Sequence, residues 1–353
     1  MNPQWQAFLE QNGARITDDT VNDFGDPTGE LHLFETGPVL CDLSHLGLID
    51  VQGEDAATFL QGQFCNDVRL VTDQHSQLSG HCNPKGRLLA SLRVFKREGH
   101  FYLQLPNSMR EMLLKRLRMY VLRAKVTLDT VSADWVSFGL AGTGADQLLN
   151  AALATIPSQI DAVVTAAGCC VLRIPGPQPR FEIHGEISAL RTLWTTLAAG
   201  ARAVGTNIWS LLDIRSGIAT IVPLTTEAFV PQMVNLQRVG AVSFTKGCYP
   251  GQEVVARMQY LGKLKRRMYR AHIATDTAPQ PAEALYTSHT ENGQDTGMIV
   301  AAQAAPQGGY EVLAVTQCAA VELGGILLGG PLGAPLRFLD LPYPLDDGAQ
   351  QQA

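Results

Sequence analysis

Apolar positions along the chain fall into two alternating periodicities. Met109, Met112, Leu113, Leu117, Tyr120 and Val121 recur every three or four positions, with Arg110, Lys115, Arg116, Arg118 and Arg123 between them. That spacing predicts an amphipathic helix with one buried stripe, capped by Asn107 or Ser108. Just upstream, residues 78–83, 87–95 and 100–105 form short apolar runs. Pro84-Lys85-Gly86 and Arg97-Glu98-Gly99 separate them, which predicts a three-stranded meander. Residues 126–128 return to strand. Residues 53–63 read as a short helix, with Asp55 as N-cap and Gly62 as its stop.

The same alternation recurs along the rest of the chain. Residues 5–11 suggest a short helix, and residues 30–34 and 38–43 suggest strands. Strands at 134–142, 171–174 and 180–184 alternate with helices at 144–154 and 189–199. From about residue 265 the pattern is all-β, with short runs at 285–286, 297–300, 311–315 and 336–339, and suggests a small barrel. The class is α+β: helices layered on antiparallel sheets, followed by a β unit. Residues 346–353 are expected to be disordered.

Composition narrows the options. The chain has 353 residues, 46% hydrophobic and 17% charged, with a net charge of −6. It is long enough for two or three domains and has no overall pull toward nucleic acid. The N-terminus has no basic region followed by an apolar run, so no signal peptide is expected. The apolar tract at 324–336 is broken by glycines and prolines and too short to span a membrane. Seven cysteines with no CxxC spacing suit reduced thiols in a cytoplasmic protein. The histidines are scattered, so no stable metal site is expected. The glycines make neither a dinucleotide nor an ATP-binding pattern. Adjacent Ser44 and His45 on a strand would face opposite ways, so a turn or core role is expected rather than a hydrolytic pair.

The strongest chemical signal is Lys246-Gly247-Cys248-Tyr249-Pro250-Gly251-Gln252-Glu253. A short helix is expected to follow it and end near Gly262. A thiol ahead of a helix start, with Lys246 close by, is placed where thiolate is favoured over thiol. Gly247 and Gly251 allow tight turning and close approach to a ligand.

These eight residues resemble the Lys-Gly-Cys-aromatic-x-Gly-Gln-Glu signature of the YgfZ-type folate-binding, tRNA-modifying family, relatives of the glycine-cleavage aminomethyltransferases. The resemblance extends to Gly62-Gln63-Phe64-Cys65-Asn66-Asp67-Val68, to the Lys85-Gly86-Arg87 turn, to Arg215-Ser216-Gly217-Ile218 and to residues 229–236. It covers residues from about 40 to about 340. Cys65 stands where a small residue is expected and is read as structural.

The resemblance implies an aminomethyltransferase-like fold around a central cavity. Two discontinuous α+β domains are expected, 1–50 with 131–230 and 51–130 with 231–262, followed by a barrel at 263–345. It implies tetrahydrofolate or a derivative as cofactor. Arg215, Gly247, Tyr249, Gly251, Gln252 and Glu253 are the implied folate contacts, with Cys248 as reactive thiol beside Lys246. Ala90 and Ser91 stand where the aminomethyltransferases carry adjacent acidic residues, which argues against aminomethyl transfer, because a carboxylate is the natural group to orient and protonate an amine.

Three functions stay open on the sequence. One is a folate-binding accessory protein for iron–sulfur cluster assembly or repair and tRNA modification, with iron–sulfur enzymes or assembly proteins as partners, indirect tRNA contact and no membrane. The second is a one-carbon transferase. The third is a scaffold that binds RNA or protein through the basic helix at 110–123 and the basic run at 263–270. A single cysteine cannot hold a stable cluster, which needs about four ligands.

Overall fold

The computed structural model describes residues 1–262, 264–287 and 295–345. The chain opens with α1 (Pro3–Gln11), a small hairpin of β1 (Arg15–Thr17) and β2 (Thr20–Asp23), α2 (Pro27–Thr36) and β3 (Val39–Asp42). It then builds β4 (Leu46–Gln52), α3 (Ala56–Gln61), β5 (Gln77–Cys82), β6 (Leu88–Arg97), β7 (His100–Pro106), α4 (Asn107–Met119) and β8 (Thr127–Thr130). Next come β9 (Trp135–Ala141), α5 (Ala145–Leu153), β10 (Val163–Ala166), β11 (Cys169–Arg173), β12 (Arg180–Glu186), α6 (Ile187–Leu197), β13 (Arg202–Val204) and α7 (Thr206–Arg215). After α8 (Gln252–Tyr260) the chain is β14 (Arg266–Ile273), β15 (Ala284–Thr287), β16 (Gly297–Ala304), β17 (Tyr310–Gln317), α9 (Cys318–Leu323), β18 (Ile326–Leu328) and β19 (Leu336–Leu339).

These strands form three main sheets. One has the order β10-β11-β12-β9-β3-β13, the second β5-β6-β7-β4-β8, and the third β18-β15-β16-β17-β14-β19. The fold is α+β. β4 pairs with β7 and β8, so the chain passes from the first sheet to the second between Asp42 and Leu46, ahead of residue 50. The third sheet is a curled half-barrel. Among the described residues its two edges touch through one isolated bridge, Leu327 to Pro335. The tail from residue 346, and Lys263 in the basic run, lie outside the described residues.

Three local readings change. Residues 30–34, expected as strand, lie in α2. The Asp26 side chain accepts from Gly29 N at 2.9 Å and Pro27 takes the first turn. The alternation of Leu31 and Leu33 looked strand-like, but a cap and an N1 proline decide for helix. Asp55 precedes α3 without capping it; its carboxylate accepts from Lys125 N at 2.8 Å instead. In α4 the first helical residue is Asn107, with Pro106 at the cap position.

The cores explain how the parts sit together. Trp5, Phe138 and Trp194 fill the space between the first sheet and its helices. Leu48, Phe95 and Tyr102 of the second sheet meet Cys41, Cys170, Leu172 and Trp209 of the first unit. The core of the second sheet runs on into the half-barrel through Met268, Leu313 and Val315. Asp42, fully buried, accepts from Trp5 Nε1 at 2.7 Å and from Ser44 Oγ at 2.9 Å. The Ser44 hydroxyl is therefore committed to Asp42 rather than to His45.

The half-barrel is also tied by charge. Glu311 on β17 is 1% exposed and accepts from Arg215 Nη2 at 2.8 Å and from Arg270 Nη2 at 2.7 Å. Arg215 gives a further donor to Glu35 on α2 at 2.8 Å. Breaking a buried pair strands the remaining charge. Glu311→Gln is expected to lower stability by about 3–5 kcal/mol, read as a fall in the urea midpoint at unchanged slope.

Candidate functional site

The Lys246–Glu253 loop lies on the turn between β5 and β6 through two glycines. Gly251 has φ 79°, and a Cβ there would stand 2.4 Å from Asn83 O and 2.6 Å from Gly86 Cα. Gly86 has φ 71°, and its Cβ would stand 2.9 Å from Val254 Cβ. Only glycine allows both the backbone angle and the approach. Gly251 then starts α8.

Lys246 anchors the loop from below. It is 5% exposed, and its ammonium donates to three carbonyls: Gln61 O at 2.7 Å, Phe64 O at 2.5 Å and Asn66 O at 2.9 Å. Burial pulls its pKa down to about 8, against the opposing pull of Cys65 and Asp67. Its three protons hold the 61–66 loop, and the ammonium sits 5.2 Å from the Tyr249 ring centroid. Lys246 thus serves the loop beneath rather than standing free beside the thiol. Tyr249 is 7% exposed and fills the space under the motif.

Cys248 is exposed, whereas Cys41, Cys65, Cys82, Cys169 and Cys170 are buried and Cys318 is intermediate. It lies four residues ahead of the first helical residue, Gln252, farther from the helix start than a thiol bound by its amides would be. Gly247 and Glu253 are exposed and Gln252 is half-buried. Cys65 is a packed residue: Gly80 N donates to its sulfur at 3.2 Å.

A second candidate site is the cavity between the first two sheets, mostly apolar in surface but with several polar side chains on its wall. Its lining includes Leu78, Ser91, Arg93 and Gln104 from the second sheet, Glu182 and Asp213 from the first unit, and residues 218–220. Its free space is about 70 Å³. That is small against the roughly 300–1,000 Å³ of a pocket enclosing a drug-sized ligand, so a larger molecule would place only one end inside.

The charges there are mostly paired. Arg180, 1% exposed, donates to Asp213 Oδ1 at 2.7 Å and to Trp209 O at 3.1 Å. It lies 3.9 Å from the Trp209 ring centroid. Trp209 in turn covers Gly139, where a Cβ would stand 2.2 Å from the ring. Arg93, 5% exposed, donates to Asp161 Oδ1 at 2.5 Å and to Ser76 Oγ at 3.0 Å. Glu182 is the exception. It is 4% exposed, yet its Oε2 makes no hydrogen bond; His184 Nε2 stands 3.7 Å away. Burial alone would raise its pKa, but His184, Arg93 and Arg180 outweigh it and hold the group ionised. Glu182 is thus a buried, ionised carboxylate on the cavity wall, loosely paired with a His184 ring whose own nitrogens make no other hydrogen bond.

The residues expected to share one site are divided. Arg215 belongs to the helix that precedes the cavity segment, but it is turned to the half-barrel, with its donors on Glu311 and Glu35. It is absent from the cavity lining, which takes Ile218, Ala219 and Thr220 from the same stretch. Gly247 to Glu253 are also absent from that lining. Ala90 is 1% exposed and packs in the core. Ser91 donates to Ala219 O at 3.0 Å and accepts from Ile221 N at 3.0 Å. Among the described residues, no group of three or more His, Cys, Asp or Glu side chains could hold a metal. None of their helices is long and apolar enough to cross a membrane.

Glu182 was missed in the sequence, though it left a trace. Arg180, Glu182 and His184 alternate along an apolar strand and so share one face. Three polar residues on a buried strand face mark a polar cavity or a charge network.

Two sheets meeting at this cavity, followed by a half-barrel, make the architecture aminomethyltransferase-like. The glycine cleavage system aminomethyltransferase T from Bartonella henselae superposes with a TM-score of 0.73, covering 96% of this chain and 97% of that one. At 17% identity that likeness speaks for the fold. The GCVT N-terminal domain model matches residues 27–212. Three relatives called tRNA-modifying protein YgfZ are each 32% identical: from Colwellia psychrerythraea over 78% of this chain and 84% of the relative, from Klebsiella pneumoniae over 87% and 94%, and from Edwardsiella ictaluri over 84% and 90%. The chain belongs to the YgfZ family.

Two outcomes follow from the geometry. Brief alkylation of the folded protein by iodoacetamide is expected to label Cys248 first and leave the five buried cysteines unlabelled by mass spectrometry; early labelling of Cys65 or Cys82 would contradict the packing. The second concerns pH. Arg116 Nε donates to His81 Nε2 at 3.2 Å, leaving the ring proton on Nδ1, which faces Gln63 O at 3.0 Å. Burial, reinforced by Arg116, pulls His81 from 6.5 to about 4. The unfolded chain then binds more protons across that window, so stability is full above pH 6.5 and is lost as pH falls toward 4. His81→Gln is expected to flatten that slope in urea titrations at successive pH values.

Proposed function

We propose that the chain is a folate-binding accessory protein that supports iron–sulfur cluster assembly or repair in tRNA modification. The observation that carries the folate reading is the ionised Glu182 carboxylate on the wall of the cavity. The reduced pterin end of folate presents two adjacent N–H groups, and a carboxylate accepts such a pair well. The limited free space favours burial of the pterin end, with the remainder of the molecule toward solvent. The relatives' name, tRNA-modifying protein, supports the cellular role.

In this reading Glu182 binds and orients the ligand. His184, Arg93 and Arg180 keep it ionised, while Ser91 holds the 219–221 segment against β6. Cys248 acts separately, as an exposed thiol on a loop fixed by Lys246, Tyr249, Gly86 and Gly251. That placement suits transient contact with an iron–sulfur enzyme or an assembly protein. Aminomethyl transfer is disfavoured because Ala90 is buried in the core and the Ser91 hydroxyl is already engaged at both ends.

Calorimetric titration with tetrahydrofolate tests the cavity. Saturable binding is expected, weakened by about tenfold or more in Glu182→Gln, as for loss of a charge-assisted hydrogen bond. No binding to the wild-type protein would remove the folate reading. Cys248→Ala is expected to bind tetrahydrofolate like wild type, yet fail to restore iron–sulfur-dependent tRNA modification in cells lacking the wild-type protein. Full restoration would remove the thiol from the function.

A further inference from the structure

The helix that follows the thiol loop turns apolar side chains to solvent. α8 is held from within by Val255, which is fully buried and whose carbonyl accepts from Gln232 Nε2 at 2.7 Å. Its outward stripe is Glu253-Val254, Arg257 and Tyr260-Leu261, spaced three to four residues apart and exposed. The solvent face of such a helix is normally charged or polar. Here Val254 is 38% exposed, Tyr260 68% and Leu261 83%. The Phe244 ring meets Tyr260 edge-on, with centroids 6.1 Å apart, and backs it from one side. The stripe starts within the motif, at Glu253, just past the exposed Cys248. A contiguous apolar patch on a surface marks contact with another molecule.

Charge narrows what that molecule is. Lys85 stands beside the stripe, on the turn whose Gly86 approaches Val254. Lys85 and Arg257 are both exposed, and among the described residues neither has an ion-pair partner. In a chain of net charge −6, the patch thus carries two free cations against the single carboxylate of Glu253. The other cations nearby are mostly spent. Arg69 pairs with Asp67 at 2.6 Å, Arg266 with Asp295 at 3.3 Å and Arg270 with Glu311 at 2.7 Å. A nucleic-acid backbone needs a track of free cations, and three apolar side chains gain nothing from phosphate. We infer that the outward stripe of α8 is the docking face for the protein that meets Cys248, and that this partner presents an apolar patch rimmed by Asp or Glu. Tyr260 and Arg257 are the anchors, being of the side-chain types that carry most binding energy at protein interfaces. Lys85 and Arg257 steer the acidic rim and so set the partner's orientation over the thiol. This rests on the reading of Cys248 as a contact for an iron–sulfur enzyme or assembly protein.

The test expresses Arg257→Glu, Tyr260→Ser and Leu261→Ser at limiting level in cells lacking the wild-type protein and measures iron–sulfur-dependent tRNA modification. Thermal melts and the iodoacetamide rate of Cys248 show that each variant is folded with its thiol loop intact. Arg257→Glu and Tyr260→Ser are each expected to cut modification about tenfold, the size of losing one anchor. Overexpression is expected to recover it, because mass action answers weak docking and does not answer lost chemistry. Arg257→Lys keeps the charge and is expected to stay near wild type. A photo-reactive benzoylphenylalanine in place of Leu261 is expected to join an iron–sulfur protein at a segment containing Asp or Glu, and Arg257→Glu to abolish that adduct. If the adduct forms on RNA, or if all three variants restore modification fully at limiting level, the inference is overturned. If Cys248→Ala restores modification while the stripe variants fail, the docking face stands and the thiol reading falls. If Cys248→Ala fails while the stripe variants restore, the thiol reading stands without this docking face.

Discussion

The placement of α7 depends on one buried cation. Arg180 reaches from β12 to stack on Trp209 and to bind both the Trp209 carbonyl and the Asp213 carboxylate. A fully buried guanidinium is tolerated only when its donors and charge are answered, and here one helix supplies most of the answer. Once α7 is fixed, much else follows. Its face over Gly139 closes the first sheet, its C-terminal Arg215 clasps the half-barrel, and the chain leaving it forms the wall at 218–220.

The architecture was largely legible in the sequence because periodicity reports burial. The amphipathic stripe of α4, the meander from β5 to β7 and the short strands of the half-barrel all carried clear patterns. Residues 30–34 misled because three apolar positions fit strand and helix alike, and the deciding feature was a cap, Asp26, with Pro27 behind it. The discontinuous units could not be read from spacing, since which strands pair is set by contacts far apart in the chain. The switch between sheets just before β4 is of that kind.

The candidate site was legible only in part. Cys248 stood out because a reactive residue type lay in a glycine-rich motif, and the structure places it at the surface. Lys246 and Arg215 stood out for their charge, but charge in a sequence does not say which partner receives it. Lys246 spends its protons on three carbonyls, and Arg215 on two carboxylates. Glu182 drew no notice because the alternation of Arg180, Glu182 and His184 gains its meaning only once that strand face is known to be buried. The molecule thus keeps two different environments apart: a small, mostly apolar cavity with buried charged groups on its wall, and an exposed thiol on a loop held by Lys246, Gly86 and Gly251.

The Ser91 hydroxyl bridges a carbonyl and an amide two residues apart, Ala219 O and Ile221 N. That makes the position a fastener between two segments. An aspartate placed there could still accept from Ile221 N, but its charge would press against the Ala219 carbonyl, and an acid at Ala90 would sit in an apolar core. Acid-assisted transfer would therefore need the 219–221 segment re-formed before a carboxylate at either position became useful, so no single substitution at Ala90 or Ser91 supplies it.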